Sequence, residues 1–466
     1  MKQNNSPNSP SRMTALERRA AMSLAGIFST RMLGLFMIMP IFSIYALELE
    51  GVTPLLTGVA IGIYGLTQAL LQIPFGRLSD RIGRKKVILA GLVLFVIGSV
   101  VAALSTTIEG VIIGRALQGS GAIASAIMAL TADLTREDHR TKAMAIIGMS
   151  IGASFALSMV LGPVVYSTLG GAGIFWVIAV LAIVAMLILH WQVPTPVNQR
   201  VHPDAEVVNQ HIGEILRNTQ LLRLDFGILI LHMVLTATFV VMPLVLQDIA
   251  GLDVASHAYL YLPVFLISAA LMVPFIIMAE KYRRMRGVFI GAILCLGLVE
   301  LGLGTLGTGF WPIVILLVLF FTAFNILEAC LPSIVSKLAP AHKKGTAMGV
   351  YSSSQFFGAF LGGVTGGWVY GEYGLSAVFL MSAGLILLWW LWAATMAPLV
   401  YAASRVVSFD DIQPEQVKEL LSALQNLSGV TEAVVLAEEN TAYLKLDKDT
   451  FDETALQAVM QKFHQK

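Results

Sequence analysis

Charge is what this chain has least of. Asp, Glu, Lys and Arg make up 13% of its 466 residues, where an ordinary soluble domain carries roughly 25%. Hydrophobic residues fill 56% of the chain and mean hydropathy is +0.78. That balance excludes a soluble globular fold, and a net charge of +1 gives no electrostatic footprint for nucleic acid. Cysteine is almost missing: Cys295 and Cys330 both lie in apolar runs, which excludes a disulfide framework and a zinc site. No Gly-rich Lys-Ser/Thr loop occurs, so nothing points to an ATP-driven enzyme, and no cofactor or metal is expected. The polar N-terminus ends in LERRA with no short apolar stretch and small-residue cleavage site behind it. The first span is therefore expected to be retained.

What is present is long apolar runs. A helix needs about 20 such residues to cross a bilayer, and twelve runs qualify, near 21–47, 54–75, 86–105, 109–132, 142–167, 172–192, 223–246, 258–279, 287–307, 311–335, 346–370 and 375–398. Spans 4 and 10 are interrupted by polar residues, as cavity-lining helices would be. Lys and Arg concentrate in the terminal segments and in the loops after the even-numbered spans; the alternate loops, such as STTIEG and YSTLGGAG, contain none. The positive-inside rule then places both termini in the cytoplasm.

The chain repeats itself. Residues 141–170 align without gaps on 345–374, pairing Gly162 with Gly366, Tyr166 with Tyr370 and Gly170 with Gly374. Residues 74–91 align on 274–291, with Asp80 opposite Glu280 and Arg84 opposite Arg284. The offsets, 204 and 200, nearly agree. Spans 1–6 and 7–12 therefore read as parallel repeats around a midplane site. The division expected is an N-terminal arm (1–20), a six-helix bundle (21–192), a linker (193–222), a second bundle (223–400) and a tail (404–466) whose pattern reads βαββα, a small ferredoxin-like α+β domain. The fold class is thus all-α membrane protein plus an α+β tail.

GRLSDRIGRKKVIL (76–89) places five cations within ten residues. Topology explains Arg77, Lys85 and Lys86 but not Gly76, Asp80 and Gly83. Glycine permits close backbone approach, and a carboxylate among cations suits the positive end of a helix dipole; span 11 begins nearby, at Gly345-Thr346. The loop resembles the signature between helices 2 and 3 of the major facilitator superfamily at Gly76, Leu78, Asp80, Arg81, Gly83, Arg84 and Lys85. GRALQGSGA resembles the superfamily's second signature at Arg115, Gln118 and Gly119. SFALSMVLGPVV keeps only the Gly162-Pro163 pair of the antiporter signature. Over residues 13–466 the chain is similar to bacterial inner-membrane members that carry a cytosolic βαββα tail. The resemblance implies twelve helices in two bundles, and an Arg84–Asp133 pair that completes a latch with Gly76, Asp80, Arg81 and Gly83, favouring an outward-open state.

Intramembrane charges are costly and mark functional positions. Arg31 and His232 lie about ten residues into spans 1 and 7, each followed by Met and later by Met-Pro, and read as equivalent positions. In this fold spans 1, 4, 7 and 10 line the cavity. Asn325 and Glu328, three apart, share a face of span 10. Glu328 is the first candidate for proton carrier: burial favours its neutral form, and a cation such as Arg31 its charged one. His232 is the second. A static Arg31–Glu328 pair is the structural alternative. Arg115, as the signature arginine, either senses proton movement or snorkels to the interface. Tyr64, Gln68 and Gln72 on span 2, Gln118 on span 4, and Tyr351 and Gln355 on span 11 are candidates for solute contact or for helix packing, with packing favoured for Gln72. Glu300, mid-span 9, has no evident partner. In the tail, Asp410 and Asp411 suit helix capping better than cation binding. Since the tail holds no Cys, the expectation is a regulatory or docking role against the linker rather than metal transfer.

The function expected is secondary active transport: proton-coupled efflux of small hydrophobic or amphipathic molecules from a bacterial inner membrane, by a monomer driven by the proton gradient. The alternatives are a proton-coupled importer of a sugar or organic anion, with Arg31 as anion anchor, and a membrane sensor signalling through its tail.

Overall fold

The computed structural model describes residues 13–195, 209–306, 309–340, 343–396, 402–409, 414–437, 440–447 and 450–463; Asp410 and Asp411 lie outside them. The first span is two pieces, α1 (Ala15–Phe36) and α2 (Phe42–Ala46), joined by turns around Pro40. Next come α3 (Pro54–Ile82) and α4 (Arg84–Leu104). Span 4 breaks at 121–123 into α5 (Ile108–Ser120) and α6 (Ala124–Asp133). Spans 5 and 6 run together as α7 (Glu137–Trp191), kinked at Gly170, whose φ of 71° is left-handed. A short α8 (Asn209–Ile215) precedes the second bundle, α9 (Thr219–Asp248), α10 (Val254–Glu280), α11 (Met285–Leu306), α12 (Phe310–Leu338), α13 (Lys344–Tyr373) and α14 (Leu375–Ala394).

Among the described residues, nine helical stretches are long and apolar enough to span a bilayer by composition alone. The broken α1 and the glycine-rich α13 fall below that measure, and α7 makes two passes, so all the expected crossings are accounted for. Boundaries shift where charge follows an apolar run: α3 continues through the cationic loop to Ile82, and α7 starts at Glu137.

The repeat extends to the backbone. Gly51 and Gly251, 200 apart, both have left-handed φ, of 74° and 70°. Gly170 and Gly374 match likewise at 71° and 84°. Gly83 (φ 104°) corresponds to Arg283 (φ 54°), so the second copy keeps the turn without the glycine that relieves it. Holding a non-glycine residue there costs of order 1–3 kcal/mol.

The bundles meet most tightly along α3 and α13. A Cβ on Gly58 would stand 1.9 Å from the Gly363 carbonyl oxygen, and one on Gly65 2.4 Å from that of Phe356. This seam lies in the half of the bundle remote from the Lys/Arg loops (the basic end). There Ser43 of α2 also donates to the Val240 carbonyl of α9. The pseudo-equivalent seam, α7 with α10, is filled by Phe155 and Phe265, ring centroids 5.6 Å apart. One turn nearer the basic end, a Cβ on Gly152 would meet nothing within 4 Å.

The tail is a three-stranded antiparallel sheet in the order β1 (Ala402–Ser408), β3 (Thr441–Asp447), β2 (Val430–Leu436), with α15 (Pro414–Gln425) and α16 (Glu453–Phe463). Leu420, Leu424, Leu444, Leu456 and Met460 form its core. The tail meets the bundle at α12, where Lys445 Nζ donates to the Leu338 carbonyl at 3.2 Å. The cation thus meets the C-terminal end of α12, where the helix dipole favours it; residues 196–208 of the expected linker lie outside the described residues.

Gly58→Leu cannot be accommodated without separating α3 from α13. In a Cys295→Ala, Cys330→Ala background, a cysteine placed at Ser43 (4% exposed) is expected to react several-fold faster with an impermeant maleimide once Gly58→Leu is added. An unchanged rate contradicts the seam.

Candidate functional site

Three clusters hold the candidate residues. The first is inside the N-terminal bundle. Arg31 Nε donates to the Tyr64 hydroxyl at 2.8 Å, its Nη2 to Gln68 Oε1 and its Nη1 to the Gly121 carbonyl. That last bond answers the carbonyl freed by the break between α5 and α6, as a broken helix in a bilayer requires. Arg115 donates to Gln118 Oε1 at 3.0 Å and lies over the Tyr64 ring, 5.1 Å from its centroid. Gln118 Nε2 donates to Ser99 Oγ at 2.8 Å. Tyr64, Gln68, Arg115 and Gln118 are 0% exposed and Arg31 is 1%, so none of them faces an open cavity in this conformation. Snorkelling by Arg115 is excluded: the guanidinium is fully buried near the carbonyls of Gly34, Ala60 and Ile61.

The second cluster is in the C-terminal bundle. The Gln355 amide nitrogen is 2.8 Å from His232 Nε2 and 3.2 Å from Glu328 Oε1, so it has a hydrogen for each. Glu328 Oε2 is 3.9 Å from His232 Nε2. The static Arg31–Glu328 pair does not form: each arginine contact stays within its own bundle, and the carboxylate is matched with His232. Asn325 is half-buried one turn away, and Tyr351 is buried with no partner for its hydroxyl. The Glu328 side chain is 35% exposed, unlike the sealed arginines, although its Oε2 is buried with no hydrogen-bond partner.

Aromatic rings lie against this cluster, a feature the sequence reading missed because the chain's 23 Phe are spread through every span but the fourth and into the tail. Phe155 of α7 touches Phe36 (4.9 Å), Phe265 (5.6 Å), Phe321 (6.0 Å) and Phe324 (5.9 Å, stacked). Phe324 in turn sits 5.9 Å from the His232 ring. One phenylalanine from the first bundle is thus inserted among rings of the second. Asp225, a 6%-exposed carboxylate on α9, was also missed, since RLDF reads as a loop-proximal charge.

The third cluster is the signature loop. Arg84 binds Asp80, Ser79 Oγ (3.0 Å) and Asp133 Oδ2 (3.3 Å). Gly83 makes the left-handed turn that returns the chain into α4. Gly76 packs on α6, a Cβ there standing 3.1 Å from that of Ser125, and Arg81 is exposed. Asp80 reaches Arg84 rather than the N-terminus of α13, where Lys343 instead pairs with Glu214 of α8.

Two like-folded helical bundles around an interbundle site, with ionisable groups at mid-membrane depth, define a polytopic membrane transporter. The Major Facilitator Superfamily model matches residues 24–363 and, in an overlapping second match, 264–428, and the chain belongs to that family. It is 47% identical to the inner membrane transport protein YajR of Escherichia coli K12 over 440 residues, 94% of this chain and 96% of the relative. It is 25% identical to the multidrug resistance protein MdtH of Klebsiella pneumoniae over 77% of this chain and 90% of that one. Among solved structures, a bacterial homologue of the human lysosomal transporter Spinster, inward-facing and occupied, superposes with a TM-score of 0.67 at 13% identity, covering 82% of this chain and 98% of that one. The family and these relatives are transporters, not enzymes.

Tyr64 and Tyr351 provide a matched contrast. Tyr64→Phe removes a hydrogen bond to a buried cation, worth about 1.5–3 kcal/mol, and a drop of several degrees in melting temperature is expected in detergent. Tyr351→Phe removes a hydroxyl with no partner and should leave the melting temperature within about a degree. Equal effects contradict the assignment of the Arg31 network.

Proposed function

We propose that the protein is a proton-coupled exporter of small hydrophobic or amphipathic molecules, working by alternating access from a bacterial inner membrane with both termini in the cytoplasm. The observation that carries this reading is the Glu328–His232–Gln355 cluster: an acidic side chain that is 35% exposed although its Oε2 is buried, beside an imidazole and directly against the ring assembly around Phe155. Rings favour an apolar or aromatic solute through offset and edge contacts, and the carboxylate offers a proton site within reach of that solute. The tight α3–α13 seam and the open space at Gly152 support a conformation closed at the periplasmic end and parted toward the basic, cytoplasmic end. The 25% identity to a multidrug resistance protein agrees with an amphipathic cargo.

The importer reading loses its main support. Arg31, its anion anchor, is 1% exposed and engaged by Tyr64, Gln68 and the Gly121 carbonyl.

Under the exporter reading, coupling runs through Glu328. In proteoliposomes with an imposed proton gradient, Glu328→Gln is expected to abolish gradient-driven transport of a hydrophobic cation dye while leaving solute exchange without a gradient. Gradient-driven transport at the wild-type rate in that variant removes Glu328 as the carrier.

A further inference from the structure

Glu300 is a second carboxylate inside the membrane, and the central cluster does not use it. It is 0% exposed on α11, flanked along the helix by Leu296 (0%) and Leu303 (5%). Thr238 Oγ1 of α9 donates to its Oε1 at 2.8 Å, while Oε2 is buried with no hydrogen-bond partner. Ser382 of α14, also 0% exposed with an unpartnered hydroxyl, stands in the same layer; Gly297 against Ile386 and Gly304 against Leu380 fix that register. No countercharge answers the group. The helix α14 has no ionisable side chain, α12 has only Glu328 and Lys337 besides Cys330, and α10 has His257, Tyr259, Tyr261 and Glu280. On α9, Arg223, Asp225, His232 and Asp248 are all at least six residues from Thr238. Thr238 is the only partner of Glu300 among the described residues.

An isolated ionised carboxylate in such a place is too costly to persist unpaired, so the free Oε2 must hold a proton in this conformation. The scaffold does not demand a carboxylate there: at the repeat offset of 200, Glu300 corresponds to Val100 of α4. Toward the end opposite the basic loops, a cavity of about 140 Å³ lies between α9, α11 and α14; Leu303 and Gly304 wall it on the Glu300 side, its α9 lining begins at Val245, seven residues past Thr238, and Thr305 and Ser376 are its polar members.

We propose that Glu300 is a second proton-binding site, separate from the central cluster, which exchanges its proton with water on the periplasmic side through the cavity between α9, α11 and α14. Once the Leu303 wall parts, hydronium in the cavity water gives its proton to the ionised Oε2, its own O–H bond breaking as the carboxyl O–H bond forms and neutral water remaining; Thr238 donates to Oε1 throughout. When the packing of α9 against α11 changes during the cycle, the same proton returns by the same route. This goes beyond the exporter reading and holds whether or not Glu328 is the coupling carboxylate.

The test is pH-jump difference infrared spectroscopy of the full-length protein in lipid, which reads the C=O stretch of a protonated carboxyl without any substrate. Wild type and Glu328→Gln are expected to share a band that responds to pH and is lost in Glu300→Gln. Thr238→Val, which keeps the carboxyl and removes its donor, should move the band to higher frequency, and this arm stands even if Glu300→Gln fails to fold. Ser376→Trp, filling the cavity mouth, should slow the band's response to a pH jump about tenfold without removing it. A band untouched by Glu300→Gln and Thr238→Val, or one that never responds to pH, overturns the site. An unslowed response in Ser376→Trp overturns the route.

Discussion

The bond from Arg31 to the Gly121 carbonyl is the contact on which the N-terminal bundle depends. A bilayer interior offers no water to a broken helix, so the carbonyls released between α5 and α6 need a donor from the protein. Arg31 supplies it from α1, and the rest follows. The guanidinium must itself be neutralised or solvated, which Tyr64 and Gln68 of α3 do with oxygens and the Tyr64 and Phe95 rings with their faces, at 5.7 and 5.9 Å. Tyr64 then carries Arg115 on the same ring, and Arg115 orients Gln118 toward Ser99. Four helices are thereby fixed by two cations and no carboxylate.

The second bundle solves a similar problem with the opposite sign. It ties its first helix to its fourth through His232 and Glu328, bridged by Gln355 of α13, and buries further carboxylates at Glu300 and Asp225. The first bundle therefore buries cations among neutral partners, whereas the second buries carboxyl groups among neutral partners, Glu300 in its protonated form.

The twelve crossings, the repeat and the tail were legible in the sequence because each follows from composition or period: apolar length, Lys/Arg asymmetry, a fixed offset, alternation after residue 400. Arg84–Asp133 was legible through the family signature. What was not legible depends on rotation about a helix axis. Arg31 and Glu328 both lie in cavity-lining spans, yet a few tens of degrees direct one into its own bundle and leave the other partly exposed. Arg115 reads as interfacial from its distance to the loop, and only packing shows it sealed. Phe155 carries no local signal at all; its role arises from residues more than a hundred positions away in α10 and α12.

The repeat also shows where the two halves were allowed to differ. Gly65 on α3 corresponds to Phe265 on α10, and Ala359 on α13 to Phe155 on α7, so one seam brings backbones together and its pseudo-equivalent keeps them apart with rings. Glycine-to-glycine contact such as Gly58–Gly363 buries little side chain but allows close backbone approach, with many small dispersion gains that vanish with slight separation. A ring seam yields gradually, since aromatic pairs tolerate offset and tilted geometries. Opening the far end therefore breaks the glycine seam as a unit, whereas the Phe155 seam can slide. A scaffold with one abrupt seam and one compliant seam has a natural axis for rocking, and that axis passes beside the Glu328–His232 cluster, where a proton or a solute would bias it.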